Sequence, residues 1–214
     1  RRPRSAGMIP RLPAGLLAAV IALCAAAVAA GAPQDTAPPT ASPGAARDLD
    51  QLMQLLAARR HGHVTFTEVQ HLAMLERPLE SSGELFYDAP DRLEKRTLKP
   101  RPEGLVLAHG VLTATRDHRT RTLELAAYPQ VAPLIESIRA TLAGDRTTLE
   151  RIFSVRFDGD LAHWTLILAP RDAAAARTVR QVRIAGERAA LQSVEIVQPD
   201  GDRSLLSLGP DLSR

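Results

Sequence analysis

What most limits the fold of this chain is a succession of short segments of strand composition, joined by links too brief for anything but antiparallel neighbours. They lie at roughly 64–75, 82–88, 92–99, 104–108, 111–116, 120–126, 153–158, 161–168, 178–185, 189–197 and 203–208. Turn residues punctuate them: Arg77-Pro78, Ala89-Pro90, Pro100-Arg101-Pro102, His109-Gly110, Asp117-His118, Asp158-Gly159, Gly186-Glu187 and Asp200-Gly201. A sheet of so many strands curls or closes.

Amphipathic helices are left over. Leu49, Leu52, Met53 and Leu56 recur at helical spacing, with Asp48 and Asp50 in the first turn and Arg59, Arg60 and His61 in the last. Val131, Leu134, Ile135, Ile138 and Leu142 form a second stripe. Gly144 stops that helix, and Asp145 caps a third through Leu149 and Ile152. Each stripe needs an apolar surface to cover. The pattern therefore predicts a mainly β fold with α: an unclosed antiparallel barrel of about eleven strands, with amphipathic helices as a lid over its hydrophobic concave face. No second domain or repeat is visible.

The N-terminal segment reads as an export signal. From Met8, the expected true start, Arg11 supplies a positive region, Leu16 to Val28 an apolar one, and Ala27-Val28-Ala29 a small-x-small cleavage site. The apolar run is shorter than the roughly 20 residues a membrane span needs. Leu23 before Cys24 argues against a lipoprotein signal. We expect residues 1–29 to be removed near Ala29, 30–46 (AGAPQDTAPPTASPGAA) to form a flexible lead-in, and 47–209 to be the folded domain in the periplasm. Cleavage removes four arginines and no acid, leaving 23 basic against 24 acidic residues and no cysteine. The basic pI is thus mostly a property of the leader, and nothing asks for nucleic acid. Seven aromatic residues are also few for a protein that stacks bases.

Chemistry-bearing motifs are sparse. His61-Gly62-His63 could offer two metal ligands, but no third ligand completes a known spacing. Asp158-Gly159-Asp160 and Asp200-Gly201-Asp202 look like fragments of calcium loops, yet lie between strand patterns where turn chemistry suffices. Ser81-Ser82-Gly83 reads as a turn, and there is no nucleophile elbow or glycine-rich phosphate loop. No catalytic residue, metal or cofactor is expected. Apolar concavity remains. Leu105 and Leu107 share a strand face, as do Trp164, Leu166 and Leu168, while Leu93 stands opposite Arg92, Glu94 and Arg96. Such stripes can be ordinary core, or the wall of a ligand cavity in a sheet left open.

The order of these pieces resembles the LolA family of periplasmic outer-membrane lipoprotein carriers. The resemblance starts at Phe66-Thr67-Glu68 and runs through the segment from Ser82 to Leu93, then Pro100 and Leu105-Val106-Leu107-Ala108-His109-Gly110. It ends on Leu166-Ile167-Leu168-Ala169-Pro170 and the hairpin around Val194 to Asp202. The resemblance implies an unclosed barrel whose hydrophobic cavity holds acyl chains. Leu85, Leu93, Leu105, Leu107, Trp164, Leu166 and Leu168 would line the cavity, and Leu134, Ile135 and Ile138 would belong to the lid. It implies a carrier, expected to act as a monomer, that takes a lipoprotein or other lipid from an inner-membrane donor toward an outer-membrane acceptor. A lipid-sensing module is the alternative, and a lipid-modifying enzyme a further one. Three positions depart from the family pattern: an arginine is Ala89 here, an aromatic is Leu93, and an inward position usually held by Trp is Lys95. Arg92 is a candidate replacement for that arginine, and a glycolipid or polyene lipid cargo would fit these changes.

Overall fold

The computed structural model describes residues 43–129 and 132–213. The leader, residues 30–42 of the lead-in and Val131 lie outside the described residues. Helix α1 spans Pro43–Ala57, α2 Ala132–Leu142 and α3 Arg146–Ile152. The strands are β1 His61–His71, β2 Leu79–Asp88, β3 Arg92–Lys99, β4 Glu103–Ala108, β5 Val111–Arg116 and β6 Arg119–Glu124. After α2 and α3 come β7 Phe153–Gly159, β8 Trp164–Pro170, β9 Gln181–Glu187, β10 Ala190–Val197 and β11 Arg203–Asp211. They form one antiparallel sheet in the order β6-β5-β4-β3-β2-β1-β11-β10-β9-β8-β7. The first strand pairs with the last, while β6 and β7 remain as edges. This is the open half-barrel that the count of short strands predicts.

The turns follow the local chemistry. His109-Gly110 and Asp117-His118 both take positive φ, the two-residue geometry that suits the twist of a hairpin. Asp160 Oδ1 accepts from the Ala162 and His163 amides, and Asp200 Oδ1 from the Asp202 amide, so these acids serve turns. Gly144 (φ +63) ends α2, and Asp145 caps α3 by accepting from the Thr148 amide at 2.9 Å. A side chain at residue 144 would strike the Met53 carbonyl, where α1 passes over.

Several local expectations are corrected. Residues 43–46, expected in the lead-in, open α1, with Pro43 at a position where its fixed φ suits a helix. His61 is the first residue of β1, with its ring 2.9 Å from Asp88, rather than the end of a helix. Ser81-Ser82-Gly83 lies inside β2. The glycine permits close approach there, because a Cβ would sit 1.9 Å from the Arg96 carbonyl and 3.0 Å from the Phe66 ring. The β9–β10 turn is Arg188-Ala189, not Gly186-Glu187. Gly186 stays in the strand because the Trp164 ring fills the space where its side chain would be. That indole donates to the Arg188 carbonyl at 2.8 Å.

The core divides into two clusters. The larger joins Leu49, Leu52, Met53 and Leu56 of α1, Leu134 and Ala140 of α2 and Leu149 of α3 to the inner face of β7–β10. The smaller joins Leu105, Leu107, Leu112, Leu123 and Leu125 to Ile135. Helix α2 straddles both, since Leu134 belongs to one and Ile135 to the other. Its buried hydroxyls are satisfied within the helix: Ser137 donates to the Leu134 carbonyl and Thr141 to that of Ser137.

Candidate functional site

Residues directly opposite across neighbouring strands share a face, so strand register lets the concave surface be read row by row. On β7–β10 it is apolar along its whole length. One row is Phe157, Leu166, Ile184 and Val194, and the next is Val155, Leu168, Val182 and Ile196. On β1–β6 each strand changes character partway, always in the same direction. Val64 and Phe66 give way to Glu68 and Gln70 on β1, and Tyr87 and Leu85 to Gly83 and Ser81 on β2. Leu93 gives way to Lys95 and Thr97 on β3, and Leu107 and Leu105 to Glu103 on β4. Leu112 gives way through Ala114 to Arg116 on β5, and Leu123 to Arg121 and Arg119 on β6.

The apolar end forms a hollow beneath α2, between the two core clusters. Its volume is about 110 Å³, or about 960 Å³ with the open mouth counted. Leu85, Leu93, Leu105, Leu107 and Leu112 form one wall, and Ile135, Ile138 and Leu142 of α2 form the roof. Leu191, Val194, Leu206 and Leu208 face them from β10 and β11. Arg59, Glu94 and Lys95 are the charged residues at its boundary. Tyr87 also borders the hollow; burial pushes its hydroxyl above the usual range, against the opposing effect of Arg139 and Arg60. The Tyr87 hydroxyl has no hydrogen-bond partner among the described residues.

The structure thus brings together Leu85, Leu93, Leu105, Leu107, Ile135 and Ile138 of the residues expected at the cavity. Trp164, Leu166 and Leu168 do not border the hollow. They are sealed in the larger cluster, because α1 rests on their half of the sheet. Leu134 is likewise buried in that cluster and does not border the hollow, although it shares a helix face with Ile138 and Leu142. The far wall on β10 and β11 was not among the expected residues, although Leu206-Ser207-Leu208 carries the alternation that marks it. Arg92 lies on the face opposite Leu93, with Glu94 at 2.6 Å and Asp88 at 3.6 Å. Helix α2 directs its own arginine, Arg139, to Glu136 and Asp145. His63 stacks on Phe86 with ring centroids 4.3 Å apart, and its Nε2 is 3.6 Å from Glu84.

Beyond the hollow, the polar ends of β1–β6 form a second, wider basin of about 920 Å³ that none of the three helices lines. Lys95 and Leu105 border both spaces. Lys95 reaches Glu68 at 2.6 Å, and both side chains are almost wholly buried. The ammonium also lies 4.9 Å from the centre of the Phe66 ring, which covers the bare Gly83. Lys95 thus has an acidic partner two strands away, a pairing that the sequence reading missed. Both residues have inward parity, and that was the available signal.

A family model described as "Outer membrane lipoprotein carrier protein LolA-like" matches residues 41–210. No curated protein matches the chain by sequence. Among solved structures, a LolA superfamily protein from Nitrosomonas europaea is similar at 11% identity and a TM-score of 0.43, covering 81% of this chain and 94% of that one. A DUF1329 family protein from Desulfovibrio piger is similar at 8% identity and a TM-score of 0.45, covering 78% and 92%. LprF from Mycobacterium bovis is similar at 12% identity and a TM-score of 0.37, covering 81% and 95%.

Proposed function

The chain belongs to the outer membrane lipoprotein carrier protein LolA-like family, and from that premise we propose that it is an exported, periplasmic carrier that shields acyl chains in the hollow beneath α2. Its cargo is a lipoprotein or another lipid, received from the inner membrane and passed toward the outer one. The observation that carries this reading is the hollow itself: leucines from β2–β5, β10 and β11 face apolar residues of α2 across an open space.

The physics of such a site is simple. Each methylene taken out of water is worth roughly 0.8 kcal/mol, so a single long chain gives useful affinity without a specific polar contact. Helix α2 serves as the lid. Ile138 and Leu142 roof the hollow, while Leu134 and Ile135 hold the helix to the clusters on either side. Both ion pairs of Arg139 stay within the α2–α3 segment, so closure over the hollow depends on apolar contact. A lid of that kind can yield to an incoming chain and reseal around it. The site needs no catalytic group, and we read the protein as a binding protein rather than an enzyme.

The test is native mass spectrometry of protein expressed with its leader and recovered from the periplasm, followed by extraction of any bound lipid. Wild type should retain an acyl-chain lipid and lose it on incubation with acceptor vesicles. Empty protein that also fails to take up lipid from donor vesicles would overturn the proposal. Stable retention without onward transfer would leave a binding module in place of a carrier.

A further inference from the structure

The polar basin has a charge pattern that the acyl-chain hollow does not explain. Most of its acids are already matched. Glu68 holds Lys95 at 2.6 Å, while Glu103 lies 3.1 Å and Asp117 3.8 Å from Arg116. Three arginines on its wall, Arg101, Arg119 and Arg121, make no ion pair with any described residue. All three are exposed, and Arg119 and Arg121 project from the same face of the edge strand β6. Glu80 is the one basin acid without such a pair among the described residues, so the unmatched charge is positive. The arginines stand on the polar part of a surface whose apolar part is the roofed hollow, and Lys95 and Leu105 border both spaces.

We infer that the basin and the hollow are two halves of one amphiphile site. Arg101, Arg119 and Arg121 take an anionic headgroup, a phosphate or a carboxylate, while its chain lies in the hollow. This rests on the reading of the hollow as an acyl-chain site. The guanidinium suits the task because its planar fork can donate two parallel hydrogen bonds to an oxyanion. In a basin open to water each such contact is weak alone, so the three arginines act together on one oxyanion, and salt weakens them. The buried Lys95–Glu68 pair is neutral as a unit, so it can stand at the boundary without repelling either half of the ligand.

The experiment uses the exported full chain and two lipids that differ by one phosphate, palmitoyl lysophosphatidic acid and monopalmitoylglycerol. Each is titrated against N-phenyl-1-naphthylamine, a neutral dye that fluoresces in apolar cavities. The phosphate lipid should displace the dye at about tenfold lower concentration, and about 0.5 M salt should shrink that gap. The combined variant Arg101→Gln, Arg119→Gln, Arg121→Gln changes only exposed side chains. It should equalise the two lipids while leaving monopalmitoylglycerol unchanged. Equal displacement in wild type, or a preference that survives in the variant, would overturn the inference. Inorganic phosphate bound as tightly as the phosphate lipid, measured by calorimetry, would also overturn it, by making the basin a free-anion site. Failure of both lipids to displace the dye would instead overturn the acyl-chain reading beneath it.

Discussion

The two halves of this molecule belong to one continuous antiparallel sheet, yet they meet different neighbours. On β7–β10 the concave face is covered by α1 and α3, and Leu166, Leu168, Val182 and Ile184 are fully sealed. On β3–β6 the helix that arrives is α2, and it covers the apolar end alone. The first half is a core in the ordinary sense. The second leaves its leucines beside empty space and its charges beside solvent. A concave apolar surface becomes a core or a binding site according to how much of it the helices reach.

The sharpest way to break this comparison is to disturb the boundary between apolar and polar ends. Lys95→Met leaves Glu68 buried without its cation, and such a loss costs about 3–5 kcal/mol. Replacing both residues, Lys95→Met with Glu68→Leu, should recover most of that loss in urea unfolding. Next in size, Leu166→Ala in the covered half should cost about 2–5 kcal/mol, because the site is fully packed and cannot collapse. Leu93→Ala should cost only about 1 kcal/mol, since part of its side chain already faces open space. Equal losses at the two leucines would mean that the hollow behaves as core.

Much of this was legible before the structure. Two-residue turns such as His109-Gly110 and Asp117-His118 need positive φ, so residue type and spacing alone mark the hairpins. Gly144 and Asp145 announce a helix end and the next helix start in adjacent residues. What could not be read is which leucines face the hollow. Leu93 and Leu166 share residue type and inward parity, and they differ only in whether α1 lies above them. That is a tertiary fact with no local signature. The same holds for Gly83 and Gly186, which resemble turn glycines but sit in strands because Phe66 and Trp164 lie over them. Glu68 and Lys95 find each other across an intervening strand, which no short spacing records.

Ligand binding separates the halves more cleanly than stability does. Leu93→Glu should leave the fold within about 1 kcal/mol of wild type, because the side chain can reach the open space. It should weaken retention of an acyl-chain lipid by on the order of 100-fold, because a carboxylate facing hydrocarbon has lost its water. Thermal unfolding beside dye displacement reads both quantities. An unfolded variant would place Leu93 in the core, and normal binding would place it outside the lipid's path.

The smallest expected effect concerns the joint between α2 and α3. Burial tends to raise the carboxyl pKa of Asp145, but hydrogen bonds from Thr148 and the nearby Arg139 outweigh it, so the pKa falls below the ordinary 3.8. Asp211, at the end of β11, shifts in the same sense: burial is outweighed by the Ser213 amide and Arg59. A carboxyl depressed in the folded state contributes stability that is complete above its unfolded value and disappears as pH falls through its folded value. Neither group belongs to the strands under α1; Asp160, which the His163 and Ala162 amides also hold low, is a fully exposed residue of the β7–β8 turn outside β9 and β10. Acid should therefore loosen α2 before it loosens β9 and β10. Hydrogen-exchange protection compared at about pH 6 and about pH 3 should drop first across residues 132–142, with 181–197 following. Asp145→Ala removes the cap and should cost about 1 kcal/mol at neutral pH, and it should flatten the acid response of α2. If protection falls together in both segments, the lid and the covered half open as one unit, and the division drawn between them fails.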